Sequence, residues 1–464
     1  LDANQQRRLA SGFPPLAVAF GADNRALVMT TQDLRLLDPA SGTTTVLSTY
    51  ASLAPKTLPL EFAKFPAEII RASLGASPEG NIISGVADAE GSGDAQSVLV
   101  YVRYDVTLRQ LKLLGYTTAP ALGPRVASVG SNGALQLFGW ALLNERGVLM
   151  AQFPNALGKL NVGSHAIDLS RGRIYAQVPE AVPTVPTTTT PVTPPAGQPV
   201  PVQQLAPPVL QILDADNLTV RERLQLPEQL AGRSVLSSDG NVMYAVSDSG
   251  LTILPVGLLS KFPRVTASRE DLLFRGNYCD RKTASQEIEI VDPGGNNTPF
   301  SLQAGIPGVT VSPDSGVTPA KVRVSVDTSA VSSRTGTLAG LIEIRSSVAV
   351  NIPDPVRVLI NNREPDQRGS FFNVPGKLVD IAADPARDRF YVLRQDKNRV
   401  LVFNGTTFQQ IASLRTGNTP WQMAVTLNGK YLIVTNDNSQ LANVYDLDTL
   451  QQTQSVEFPV GHYP

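Results

Sequence analysis

Gln422 in WQMAVT, Val379 in LVDIAA, Arg233 in GRSVLS and His165 in SHAIDL hold one equivalent position. Each stands just before the apolar core of a short strand that runs into a polar turn. If such strands gather round a common axis, each delivers one side chain to the mouth of a central channel, where ligands commonly bind. The polar members Gln422, Arg233 and His165 would then form a hydrogen-bonding cluster; the plainer alternative is a solvated channel wall. Trp421, beside Gln422, falls on the same rim, and Trp140 ends a strand of another copy. An exposed indole offers a rigid face and one donor to a sugar ring or a protein partner. Wedging between sheets is the commoner use.

Other reactive groups are sparse. His165 has no nucleophile assigned to it by motif, since G-x-S-x-G is absent. The single cysteine, Cys279 in RGNYCDRK, forms no internal disulfide. Arg281 and Lys282 could lower its pKa, although a buried free thiol is the simpler reading. Two histidines, His165 and His462, are too few for a histidine-rich metal site. The acid pairs Asp214/Asp216 and Asp446/Asp448 fall in hairpin turns, where Asp caps backbone, and calcium loops need denser oxygen ligands. Asn217, Asn296 and Asn404 each open an N-x-Thr acceptor pattern, and the threonines of 187–190 could carry O-linked sugars. No catalytic residue, metal or cofactor is expected.

These residues are positioned by a repeat. A polar turn and strand recur in GADNRALVMT (21–30), SPEGNIISGV (77–86), GSNGALQLFGW (130–140), LSRGRIYAQV (169–178), SSDGNVMYAV (237–246), ADPARDRFYVL (383–393) and TLNGKYLIVTN (426–436). Most copies continue into a second strand with an Asp- or Asn-led turn, as in DLRLLDPASG (33–42), RVLVFNGTTFQ (399–409) and ANVYDLDTLQ (442–451). A unit this short cannot bury its own apolar face and must stack on its copies. The expectation is an all-β chain: a seven-bladed β-propeller with an inserted immunoglobulin-like β-sandwich. Blades one to five span 1–263, with the Pro- and Thr-rich stretch 183–208 as a loop insertion. The sandwich fills 264–363, and blades six and seven span 364–464.

The bulk properties agree. The 464 residues are 42% hydrophobic, with 39 Lys+Arg against 40 Asp+Glu, a balance that speaks against a nucleic-acid or anionic-membrane surface. No apolar run is long enough to span a membrane. The beginning, LDANQQRRLASG, lacks an apolar signal region, and PVGHYP at 459–464 reads as the approach to a further strand. A piece of a longer protein is expected.

The segments 375–417 and 419–464, with IVTN at 433–436, resemble the YVTN family of bacterial β-propeller repeats. VTVSPDSGVTPAKVRVSVD (309–327) resembles BACON-like and related bacterial immunoglobulin-like domains. These resemblances imply an exported bacterial protein, located extracellularly, at the cell surface or in the periplasm. They imply a non-enzymatic binding or structural role toward a protein or glycan, with self-association as a further option. A minority of related propellers are lactonase-like or quinoprotein-like enzymes, so a channel enzyme is one alternative. A surface-layer or filament subunit is another.

Overall fold

A computed structural model describes residues 12–55, 65–89, 97–119, 126–153, 163–179, 206–277, 283–331, 336–363, 371–437 and 439–458. Strands dominate, the one α-helix among the described residues is Tyr50–Leu53, and no helix is long and apolar enough to cross a membrane. Among the described residues seven sheets are simple antiparallel meanders, each taking its strands in chain order. They are numbered here by position: sheet 1 (15–49), sheet 2 (71–119), sheet 3 (127–152), sheet 4 (164–225), sheet 5 (230–254), sheet 6 (378–415) and sheet 7 (420–457). Six have four strands and sheet 5 has three.

Local chemistry explains the meander. The turn between the first and second strands has a left-handed residue in every copy: Asn24, Gly80, Gly133, Gly172, Gly240, Asp388 and Gly429, with φ from 50° to 70°. These are the residue types that tolerate that region. Gly80 is needed twice over. Its carbonyl accepts from the Ala22 amide of sheet 1, and a Cβ there would lie 2.8 Å from the same nitrogen. In the turn before the last strand, Asp38, Asp105, Asn144, Asn404 and Asp446 each accept from backbone N–H groups just ahead. These side chains fix the turn locally, as the Asp- and Asn-led pattern predicts.

Packing sorts the sheets into two stacks. Shared buried clusters join sheet 1 to sheet 2, 2 to 3, 3 to 4 and 4 to 5. A separate cluster joins 6 to 7 through Tyr391, Leu393, Val402, Met423 and Leu432. Between sheets 5 and 6 in the chain stands a two-sheet β-sandwich whose core includes Ile288, Val322, Val324, Phe300, Ile342 and Val358. Its strands Asp271–Asn277 and Val356–Arg363 run parallel to one another, seven residues against seven.

Among the described residues no buried cluster joins sheet 5 to sheet 6 or sheet 7 to sheet 1, the two contacts that would close one ring of seven. The two-sheet stack is instead held elsewhere by polar contacts. Asn217, in sheet 4, donates from Nδ2 to the Thr416 carbonyl at 2.9 Å. Its own carbonyl accepts from Asn398 at 3.2 Å and Asn418 at 3.0 Å. All three asparagines are buried. Nearby, Arg415 reaches Asp214 at 3.1 Å and Asp216 at 2.8 Å. Gln440 of the second stack exchanges hydrogen bonds with the Leu149 backbone of sheet 3. The physical reason is that paired, buried amides are costly to separate, and they fix sheet 6 beside sheet 4.

Asn217→Ala deletes three side-chain hydrogen bonds, one across this junction to Thr416 and two within the turn from Thr219. It is expected to lower the free energy of unfolding by about 1–3 kcal/mol in a denaturant titration. Asn404→Ala, at a more exposed turn, should cost less.

Candidate functional site: a cleft at the ends of the inner strands

The first strands of successive sheets touch one another from sheet 1 to sheet 5. In sheets 2 to 5 these are Arg71–Ala76, Ala127–Val129, Ser164–Asp168 and Leu230–Leu236. Their far ends and the turns that follow enclose a cleft of about 750 Å³ whose wall includes Glu79, Ser128, Asp168, Arg233, Ser234 and Asp239. The carboxylates are held by their own surroundings. Glu79 accepts from Ser131 and from the Asn132 amide, Asp168 from Ser170 and Arg171, and Asp239 from Ser237 and Asn241. Burial alone would raise Glu79 and Asp168, but their hydrogen bonds outweigh it and hold both below the usual carboxylate range. The Ser237 hydroxyl and then Asn241 draw Asp239 down to about 2. All three are anions throughout the neutral range. Arg233 is exposed, and no described residue pairs with it.

His165 stands behind this wall. It is fully buried, and in the unbroken pairing of Ser164–Asp168 with Arg173–Gln177 it shares a face with Ile167, packed toward sheet 3. Ser164 and Ala166 point the other way, toward sheet 5, where Ser164 meets Ser234 at 2.6 Å. The His165 ring lies edge-on to Trp140, with centroids 6.3 Å apart. Burial pushes its pKa down to about 3. Ser128 Oγ lies 2.8 Å from Nδ1 and 2.9 Å from the His165 carbonyl. Both contacts are satisfied when the hydroxyl donates to the carbonyl and Nδ1–H donates to the hydroxyl. That polarity is the reverse of what a nucleophilic serine requires.

Trp421 and Gln422 lie elsewhere, on Pro420–Val425 in sheet 7, both exposed, with Trp421 57% accessible. Trp140 is the wedge between sheets 3 and 4. Of the four expected site residues, the cleft wall therefore takes Arg233 alone. The pleat explains the scatter. The first strands of sheets 6 and 7 carry one extra residue, at Leu378/Asp380 and Pro420/Gln422, sheet 5 advances four residues against two from Leu230 to Ser234, and sheet 4 has an unbroken ladder. One extra residue flips the side chains that follow it to the opposite face, which separates Gln422 from His165; the two extra residues of sheet 5 cause no flip, and Arg233 falls within its unpaired stretch.

Two features have no sequence signal. Asp214, expected only to cap a turn, is bound by Arg173, Arg221 and Arg415. Burial would raise its carboxyl, but hydrogen bonds from Arg221 and Arg415 outweigh this and keep it below the usual range. A second cleft of about 640 Å³ lies where sheet 4, the sandwich and sheet 6 meet. Its charges pair with each other: Arg357 with Asp271 at 2.7 Å, Arg394 with Asp396 at 3.0 Å and Lys397 with Glu270 at 2.9 Å. Asn217 is too buried to serve as a glycan acceptor in the folded chain. Cys279, His462 and the threonines of 187–190 lie outside the described residues. No group of three His, Cys, Asp or Glu set to hold a metal ion occurs among the described residues.

No family model matches the chain, and no curated protein does. Among solved structures it is similar to a chain of the mitotic checkpoint complex, at 9% identity and a TM-score of 0.32 over 95% of this chain and 96% of that one. It is similar to apo AztD from Citrobacter koseri at 14% identity and a TM-score of 0.26, over 95% of each chain. It is similar to Sqt1 of Saccharomyces cerevisiae at 7% identity and a TM-score of 0.31, over 96% of this chain and 86% of that one.

His165 gives the cleft wall a pH signature. Its folded pKa, about 3, lies below the unfolded value near 6.5, so neutral imidazole is favoured by folding. That contribution is complete above the unfolded pKa and is lost as pH falls from there toward the folded one. Urea titrations of wild type should show stability falling below pH ~6.5 by roughly 1 kcal/mol per pH unit more than in His165→Gln. Parallel curves for the two proteins would remove this account.

Proposed function

We propose that this chain is a non-enzymatic binding protein whose ligand enters the cleft at the ends of the inner strands of sheets 2 to 5. The observation that carries this reading is Arg233, an exposed cation with no described partner, on a wall of serine hydroxyls and internally satisfied carboxylates. Such a wall offers many hydrogen-bonding groups and one uncommitted positive charge. That suits a hydroxyl-rich ligand bearing an acidic group, such as an acidic glycan. General acid–base catalysis works best with a group titrating near the operating pH. The cleft carboxylates stay ionised and His165 is neutral and sealed off, which favours binding over a lactonase-like channel enzyme.

In this reading the seven meander sheets are blades of propeller type, supported by their strand order and recurring turn geometry. The sandwich is an immunoglobulin-like domain inserted after the fifth blade, with domains at 1–263, 264–363 and 364–464. The YVTN-like and BACON-like segments support export to the cell surface, the periplasm or the medium. Trp421 and Gln422 form a separate exposed rim on sheet 7.

A glycan array probed with the full chain should return acidic oligosaccharides. Arg233→Ala is expected to weaken that binding about tenfold or more, the worth of one charged hydrogen bond. Trp421→Ala should leave it unchanged. Binding that survives Arg233→Ala but is lost with Trp421→Ala would move the site to the rim of sheet 7, and an array with no hits would end the glycan reading.

A further inference from the structure

We propose that this chain associates with itself head to tail, the outer face of sheet 5 in one copy packing on the outer face of sheet 6 in the next. The inner face of sheet 5, with Leu230, Met243 and Ala245, is buried on sheet 4. Its outer face is also apolar. Val235, Tyr244 and Ile253 pair in one row across the three strands, and Val246 pairs with Leu251 in the next. Their exposures are 46%, 36%, 59%, 51% and 62% respectively. A contiguous patch of this kind marks an interaction surface.

Sheet 6 presents the matching half. Its inner face meets sheet 7; on its outer face Val392, Leu401 and Phe403 are already buried against Phe372 and Val374, and the apolar groups left exposed around them are Leu378 at 42%, Ile381 at 67% and Phe408 at 44%. Phe372 lies on this face and flanks an apolar groove of about 660 Å³. Each internal contact in the two stacks is made the same way, one apolar sheet face on the next. The proposed contact continues that series between sheets that are neighbours in chain order.

The occupant is a second copy because the chain's own sheet 6 is already committed. Bringing it to its own sheet 5 would break the amides of Asn217, Asn398 and Asn418 and the pairing of Arg415 with Asp214. The two faces differ, so the contact is heterologous. Each copy offers one of each, and assembly continues as a chain or closes as a larger ring. Val235 borders both this patch and the cleft, but association is measured without a glycan, so its failure and the failure of the ligand reading are distinguishable.

The test is sedimentation equilibrium of the full chain over a wide concentration range, with Ile253→Lys on sheet 5 and Ile381→Lys on sheet 6. Wild type should grow in mass with concentration, and each variant alone should remain monomeric. An equimolar mixture retains one intact face of each kind, so it should form dimers and stop there. Val246→Thr, which keeps strand propensity, replaces Ile253→Lys if the lysine variant loses the wild-type unfolding transition. A wild type that is monomeric throughout overturns the proposal, whether a foreign protein or the chain's own sheets cover the face. So do variants that assemble like wild type, and a mixture that stays monomeric.

Discussion

An apolar sheet face left in water forfeits about 25 cal/mol for every Å² it could bury, and the meanders inside the longer stack have two such faces. Stacking is the direct answer. Sheets 2, 3 and 4 are covered on both sides by their neighbours. At the ends of the stacks the requirement is met only in part: the outer face of sheet 5 stays exposed, whereas Phe372 and Val374 cover part of that of sheet 6. The cleft is a by-product of the same constraint, because sheets stacked through their first strands bring the ends of those strands together.

Hydrophobic burial does not choose where the second stack goes, since one apolar face resembles another. That choice rests on polar groups with fixed geometry. Three buried asparagines and an aspartate met by three arginines have few alternative partners. Such groups are costly to leave unpaired, and buried polar contacts can confer specificity in this way. The sandwich reinforces the same placement through Arg394, whose guanidinium faces Asp271 and Asp396.

The fold was legible wherever its cause is local. Asn24, Gly80, Asp388 and Gly429 announce their turns by residue type, and Asp446 caps its hairpin as its spacing suggests. The stacking of the sheets was not legible, because Asn217 and Thr416 are 199 positions apart and each looks like an ordinary turn residue. The candidate site was half legible for a related reason. Arg233 follows from the repeat and sits in the irregular stretch between Leu230 and Ser234, but His165 stands in the unbroken ladder of sheet 4 and points into the wall. A bulge depends on the partner strand, and the repeat pattern does not register it.

The parallel pair in the sandwich has a mechanical meaning. Asp271–Asn277 is near the start of the sandwich and Val356–Arg363 is its last strand, so the chain comes in at one end of the pair and leaves at the other. Tension along the polypeptide would pull these strands in opposite directions along their common axis. All seven paired positions would then share the force at once, where a hairpin pulled from its open end yields one pair at a time. A chain strung between two anchored neighbours would have in this sandwich a link that resists stretching.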